Sequence, residues 1–264
     1  MNVELSTGVR LHVRERGPGQ GQGAPTYLLI HGWTVSGAIW DPILERWPES
    51  AGRVLAPDQR GTGFSDKPHT GYTLDAYVGD VVALIDQLGL SDVVLVGHSM
   101  GGTIVQKVAL ERPAALRSLV LVSPVPASGV PLDEQQIAYF RSLGGTREGA
   151  EQVLNMVMAR RPEPALFERM VRDVATVSRD AFLGGFDSWR MASFAERLTE
   201  LKVPTLVLGG SDEQPLTPDF IKAAVVAKIA GARFELLQGS GHYPQYEVPD
   251  ELLRHLLDAA RLGR

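Results

Sequence analysis

The sequence predicts an α/β chain, a mostly parallel sheet covered by helices on both faces and interrupted by one helical insertion. Three observations predict it. Short, continuous apolar runs such as "TYLLI" (26–30) and "DVVLVG" (92–97) stop at glycine or polar turn residues. Segments with a helical apolar period alternate with them, as a parallel sheet with crossover helices requires. One long stretch, 124–202, holds no such run and reads instead as short helices.

The elements follow in order. Residues 3–5 and 9–14 alternate around "STG", the pattern of a hairpin. The segment 17–25, "GPGQGQGAP", reads as a flexible surface turn. Strands are expected over 26–30, 53–58, 92–97, 116–123, 203–210 and 233–239, each a Val/Leu/Ile-rich run. Helices are expected over 72–89, 103–113, 217–231 and 248–263. The third of these has Thr217 to cap it and Pro218 at its first helical position. Within the insertion, helices are expected near 132–143, 146–159, 163–176 and 179–190. Four of the six methionines and several aromatics lie there, a composition suited both to ordinary packing and to an adaptable apolar pocket.

Composition narrows the function classes. The chain has 264 residues, 44% of them hydrophobic, enough for a full core without disulfide or metal staples. Its net charge is −5 with no block of like charge, which argues against a nucleic-acid partner. Cysteine is absent, which removes disulfides and thiolate metal sites. The start of the chain lacks the basic-then-apolar pattern of a signal peptide. No apolar run nears the ~20 residues of a membrane span. A cytoplasmic protein with a small-molecule substrate, no membrane association, and a monomeric or homodimeric state is therefore expected.

The chemistry centres on "LVGHSMGGT" (95–103), where a strand stops and a helix begins around G-x-S-x-G. A serine on such a turn is held in strained backbone geometry with its Oγ raised above the sheet. Gly97 and Gly101 leave room for the chain to fold back. The helix start behind Ser99 offers free N–H groups to a developing negative charge. A phosphate loop would need Lys before Ser or Thr, and a dinucleotide loop G-x-G-x-x-G; neither pattern is present. A serine nucleophile needs a base, and the base an orienting acid. Of six histidines, His242 alone stands on a Gly-flanked loop just past the last strand, in "GSGHYPQYE". His31 and His98 flank strand ends and read as loop supports. For the acid, Asp212 leads directly off the strand "TLVLGG" and is preferred, with Glu213 and Asp219 as alternatives. The order Ser99, Asp212, His242 then follows the nucleophile–acid–base sequence of the nucleophile-elbow enzymes. The oxyanion donors expected are the backbone N–H groups of Met100, next after the serine, and of Trp33 in the turn "HGWT". Val125, Trp189 and Tyr243 are expected on the pocket wall from their place beside the insertion and the catalytic loops.

Taken together, "HGW", "DQRGTGFSD", "GHSMGG", "GGSDEQPLTP" and "GSGHYPQYEVPDEL" resemble the α/β-hydrolase family over nearly the whole chain. The resemblance implies an eight-stranded, mostly parallel sheet. It implies a core of 1–123 and 203–264, with a helical cap, 124–202, after the sixth strand. It also implies a structural part for the loop of Asp58 and Arg60. Dehalogenase and epoxide-hydrolase branches carry Asp where Ser99 stands. The pair "HGW" and "HSMGG" is similar to small bacterial esterases, lactonases and cofactor-free haloperoxidases; Thr34 replaces the proline usual in the last of these. The expectation is a serine hydrolase of carboxylic esters or lactones, needing neither organic cofactor nor metal. A thioesterase, acyl-transferase or perhydrolase with the same triad, and a non-catalytic receptor on the same fold, are the alternatives.

Overall fold

The structure, a computed structural model, describes residues 1–17 and 24–262. Residues 18–23 of the turn expected over 17–25, and Gly263 at the end of the last expected helix, lie outside the described residues.

Eight strands form one sheet: β1 (Asn2–Glu4), β2 (Arg10–Arg16), β3 (Thr26–Ile30), β4 (Arg53–Pro57), β5 (Val93–His98), β6 (Leu116–Val122), β7 (Thr205–Gly210) and β8 (Arg233–Leu237). Their order is β1-β2-β4-β3-β5-β6-β7-β8. β1 and β2 pair antiparallel, and β4, β3 and β5 to β8 run parallel. The continuous apolar runs have a direct cause: the interior parallel strands feed two cores. Leu28, Leu95, Leu119 and Val207 face one core, while Leu29, Val96, Val120 and Leu208 face the other. With side chains alternating from face to face, a strand buried on both sides has no polar position to spare.

Ten α-helices complete the described chain: α1 (Asp41–Glu45), α2 (Leu74–Gln87), α3 (Met100–Glu111), α4 (Glu134–Ser142), α5 (Arg147–Val157), α6 (Pro164–Val174), α7 (Arg179–Arg190), α8 (Pro218–Ala224), α9 (Pro244–Glu247) and α10 (Pro249–Ala259). Val78, Val81 and Leu84 of α2, Ile104 and Val108 of α3, and Ile221 of α8 cover the first face. Ile43 of α1 with Leu252 and Leu256 of α10 cover the second. Helices α4 to α7 fill the segment between β6 and β7, with Asp133 and Gln136 forming a reciprocal capping box at the start of α4. Among the described residues, no helix is long and apolar enough to cross a membrane.

Most boundaries shift by a residue or two; α8 ends at Ala224 rather than 231 and α10 at Ala259 rather than 263, and two further differences have local reasons. β7 begins at Thr205 rather than 203, because Pro204 has no N–H to give the ladder. α3 begins at Met100, directly behind Ser99, rather than at 103. Gly101 and Gly102 are poor helix formers and hide its first turn in the sequence.

Candidate active site

The C-terminal ends of the parallel strands place the site, and β5 leads directly into Ser99. Ser99 has φ +55 and ψ −120, a conformation that side chains rarely adopt. The turn is held from both sides: the Ser99 N–H donates to the Val122 carbonyl at 3.0 Å, and the Ser99 carbonyl accepts from the N–H groups of Gly102 (2.8 Å) and Val125 (3.1 Å). The flanking glycines are required by close approach. A Cβ at Gly97 would lie 2.4 Å from the Gly101 carbonyl oxygen, and one at Gly101 2.5 Å from the carbonyl oxygens of Ile30 and His31.

His242 follows β8 on a loop pinned from several directions. Its N–H donates to the Val157 carbonyl at the end of α5 (3.1 Å), and its carbonyl accepts from His98 Nε2 (2.7 Å). Glu247 ties the loop again, with Oε2 accepting from the N–H groups of Gly241 (2.9 Å) and Tyr243 (3.1 Å). Its Oε1 accepts from the N–H groups of Ala159 and Arg160, so one carboxylate joins the histidine loop to the insertion.

The carboxylate that meets His242 belongs to Glu213, not to Asp212. His242 Nδ1 donates to Glu213 Oε1 at 2.7 Å. Glu213 Oε2 accepts from Ser123 Oγ at 2.7 Å and from the Gly210 N–H at 3.3 Å. Glu213 is 1% exposed, whereas Asp212 is exposed and accepts from Ser211 Oγ. The turn after β7 explains the correction. The Asp212 N–H is held by the Ser240 carbonyl (2.9 Å), which directs its side chain outward, and the next residue folds back beneath His242. Asp219 lies in the first turn of α8. With Nδ1–H on the carboxylate, the lone pair of His242 stands on Nε2.

Ser99, His242 and Trp33 share the wall of one cavity of about 490 Å³, and Val125, Trp189 and Tyr243 line it too. Among the described residues, neither the Trp33 nor the Met100 backbone N–H donates to a protein acceptor. The insertion fixes the Trp33 turn at two points. The Trp33 indole N–H donates to the Phe182 carbonyl in α7 (2.8 Å), and the Ser36 N–H donates to Asp173 Oδ2 in α6 (2.9 Å). Sequence reasoning missed Glu247, Ser123 and Asp173. Each is polar and buried or half-buried beside the loops it holds, a pairing that shows only once the chain is folded. A second depression, of about 550 Å³, lies between Tyr72, Lys107 and Asp187 and is lined by none of Ser99, Glu213 and His242.

Two more histidines support the loops. His31 Nδ1 donates to the Gly32 carbonyl (2.8 Å) and Nε2 accepts from the Gln59 N–H (2.9 Å), an arrangement that only a neutral ring satisfies. Burial pushes His31 down to about 4, and burial with His242 beside it holds His98 well below the usual histidine range. An unfolded imidazole takes up its proton near 6.5, whereas folded His31 resists until about 4. The stability His31 contributes is therefore whole above pH 6.5 and is withdrawn as pH falls toward 4, by on the order of 3 kcal/mol. His98 acts in the same direction. Urea unfolding at pH 7.0 and 4.5 checks this; an unfolding free energy independent of pH over that window contradicts it. Asp58, opposite this loop, accepts from the N–H groups of Gly37 (2.8 Å) and Phe64 (2.9 Å) and pairs with Arg14. Arg60 pairs with Asp80.

The model of the Alpha/beta hydrolase family matches residues 27–255. The chain is 30% identical to non-heme chloroperoxidase CPO-A1 of Kitasatospora aureofaciens, over 84% of this chain and 86% of that one. It is 28% identical to epoxide hydrolase A of Mycobacterium tuberculosis, over 96% and 94%. Among solved structures it superimposes on the esterase EaEST from Exiguobacterium antarcticum with a TM-score of 0.90 at 21% identity, covering 98% of each chain.

Proposed function

The chain belongs to the alpha/beta hydrolase family, and on that premise we propose that it is a serine hydrolase of carboxylic esters or lactones, acting through an acyl-enzyme. In this reading Ser99 Oγ attacks the carbonyl carbon and gives its proton to His242 Nε2. Glu213, in place of Asp212, holds His242 in the required tautomer and stabilises the imidazolium that forms. The N–H groups of Trp33 and Met100 receive the charge on the carbonyl oxygen, each worth about 10²–10³ in rate by the usual cost of losing one such donor. His242 then protonates the departing alkoxide. Water attacks the acyl-enzyme with His242 as base, and Ser99 leaves with the proton returned. The insertion, 124–202, acts as a cap that walls the substrate and steadies the Trp33 turn.

The observation that carries the reading is the strained Ser99 elbow facing the same cavity as His242, a histidine backed by the buried carboxylate of Glu213. The same observation weighs against epoxide opening. A serine that opened an epoxide would be left as an ether, which water cannot release under these conditions, whereas a carboxylate nucleophile would form a hydrolysable ester. It also weighs against a receptor, which has no use for a complete triad.

The test is a panel of p-nitrophenyl esters of rising acyl length with several lactones. Saturable turnover at least ~10⁶-fold above the uncatalysed rate is expected for some member. No turnover above that of the Ser99→Ala protein across the panel would overturn the reading.

A further inference from the structure

We propose that the substrate is uncharged over the acyl part seated in the cavity, and that an ester bearing a free carboxylate there is discriminated against. The inference rests on the serine-hydrolase reading above and deepens it.

Ser99 and His242 line the cavity and are buried. Its apolar wall includes Val125, Val130, Leu132, Val153, Trp189 and Leu216, with the Thr34 hydroxyl among them. Toward solvent the rim carries Gln136, Tyr139 and Met156, the last two 44% and 39% exposed. Among the described residues, no Asp, Glu, Lys or Arg lines the cavity. Arginines on the helices that carry this wall are engaged elsewhere: Arg141 with Asp187 (2.5 Å), Arg147 with Glu151 (3.0 Å) and Glu168 (2.5 Å), and Arg190 with Asp187 (2.9 Å).

A carboxylate bound between these walls would lose its water and meet no cation, only single neutral donors such as the Thr34 hydroxyl and the Trp189 indole N–H. Burying an unpaired charge is among the largest penalties a binding site can impose. Glu213 lies directly behind His242, and its field opposes a second negative charge. The net charge of −5 gives no long-range attraction either. A methylene chain in the same place gains from burial at every carbon. A cavity of about 490 Å³ falls in the ~300–1,000 Å³ range of pockets that enclose a small organic ligand.

Three substrates separate charge from size: p-nitrophenyl hexanoate, the mono-p-nitrophenyl ester of hexanedioic acid, and the methyl ester of that mono-ester. The first and third should agree within about tenfold in kcat/KM. The free acid should fall at least ~100-fold below both, chiefly through KM. Met156→Arg places a cation at the exposed rim with no core to disturb. It should raise kcat/KM for the free acid relative to hexanoate at least tenfold. Hydrolysis of the free acid within threefold of the methyl ester would overturn the inference, as would an unchanged ratio in Met156→Arg. Failure of the serine-hydrolase reading looks different: none of the three is turned over, or Ser99→Ala turns them over equally.

Discussion

Glu213→Gln is expected to lower kcat about 10⁴-fold, while Asp212→Asn leaves it within about threefold of the unsubstituted protein. The first figure is that of the chymotrypsin-type acid-to-amide change, in which geometry survives and the tautomer does not. A glutamine amide at 213 can present N–H to His242 Nδ1. That stabilises the tautomer with its proton on Nε2, the one unable to take a proton from Ser99. Asp212 is exposed and bonded to its neighbour Ser211, so its charge is replaceable. Steady-state kinetics on a p-nitrophenyl ester, with circular dichroism to confirm folding, check the pair. A large loss in Asp212→Asn with little in Glu213→Gln would contradict the assignment.

Ser99→Gly is expected to remove activity by at least ~10⁴-fold and yet to raise the unfolding free energy by about 1 kcal/mol. Knocking out a triad serine alone costs nearly what removing the whole triad costs. The stability gain has a separate origin. Ser99 is held at φ +55, ψ −120, where a residue with a side chain stores about 1–3 kcal/mol of strain. Glycine has no Cβ to strain but brings ~0.5–1 kcal/mol of extra unfolded-state entropy, which offsets part of the gain. In a chain of this size the difference is a rise of about 2 °C in melting temperature. A loss of activity with a clear fall in melting temperature would mean the elbow is not strained in the way described.

The central parallel strands are legible in the sequence because burial on both faces leaves few polar positions, so β3, β5 and β7 read as apolar runs, whereas edge strand β8 carries the exposed Arg233. The helices of the insertion are legible because no apolar strand run occurs over 124–202; in the structure Asp133, Thr146 and Ser178 cap three of them. Ser99 and the loop of His242 are legible because glycines and strand ends frame them. The identity of the acid is not. "SDE" carries two adjacent carboxylates after β7, and nothing local says which turns inward. The choice is made by residues far along the chain: Ser240, whose carbonyl accepts the Asp212 N–H, and Ser123, whose hydroxyl donates to Glu213. Glu247 and Asp173 escape sequence reasoning in the same way. An acidic residue in a helix reads as a solvated face until folding brings free N–H groups to it.

The central claim is that Ser99 becomes acylated. Intact-protein mass spectrometry after reaction with a fluorophosphonate, followed by peptide mapping, tests it most directly. One stoichiometric adduct is expected on the peptide containing Ser99, formed slowly in Glu213→Gln and absent in Ser99→Gly. No adduct on the unsubstituted protein, or the same adduct on Ser99→Gly, would contradict it.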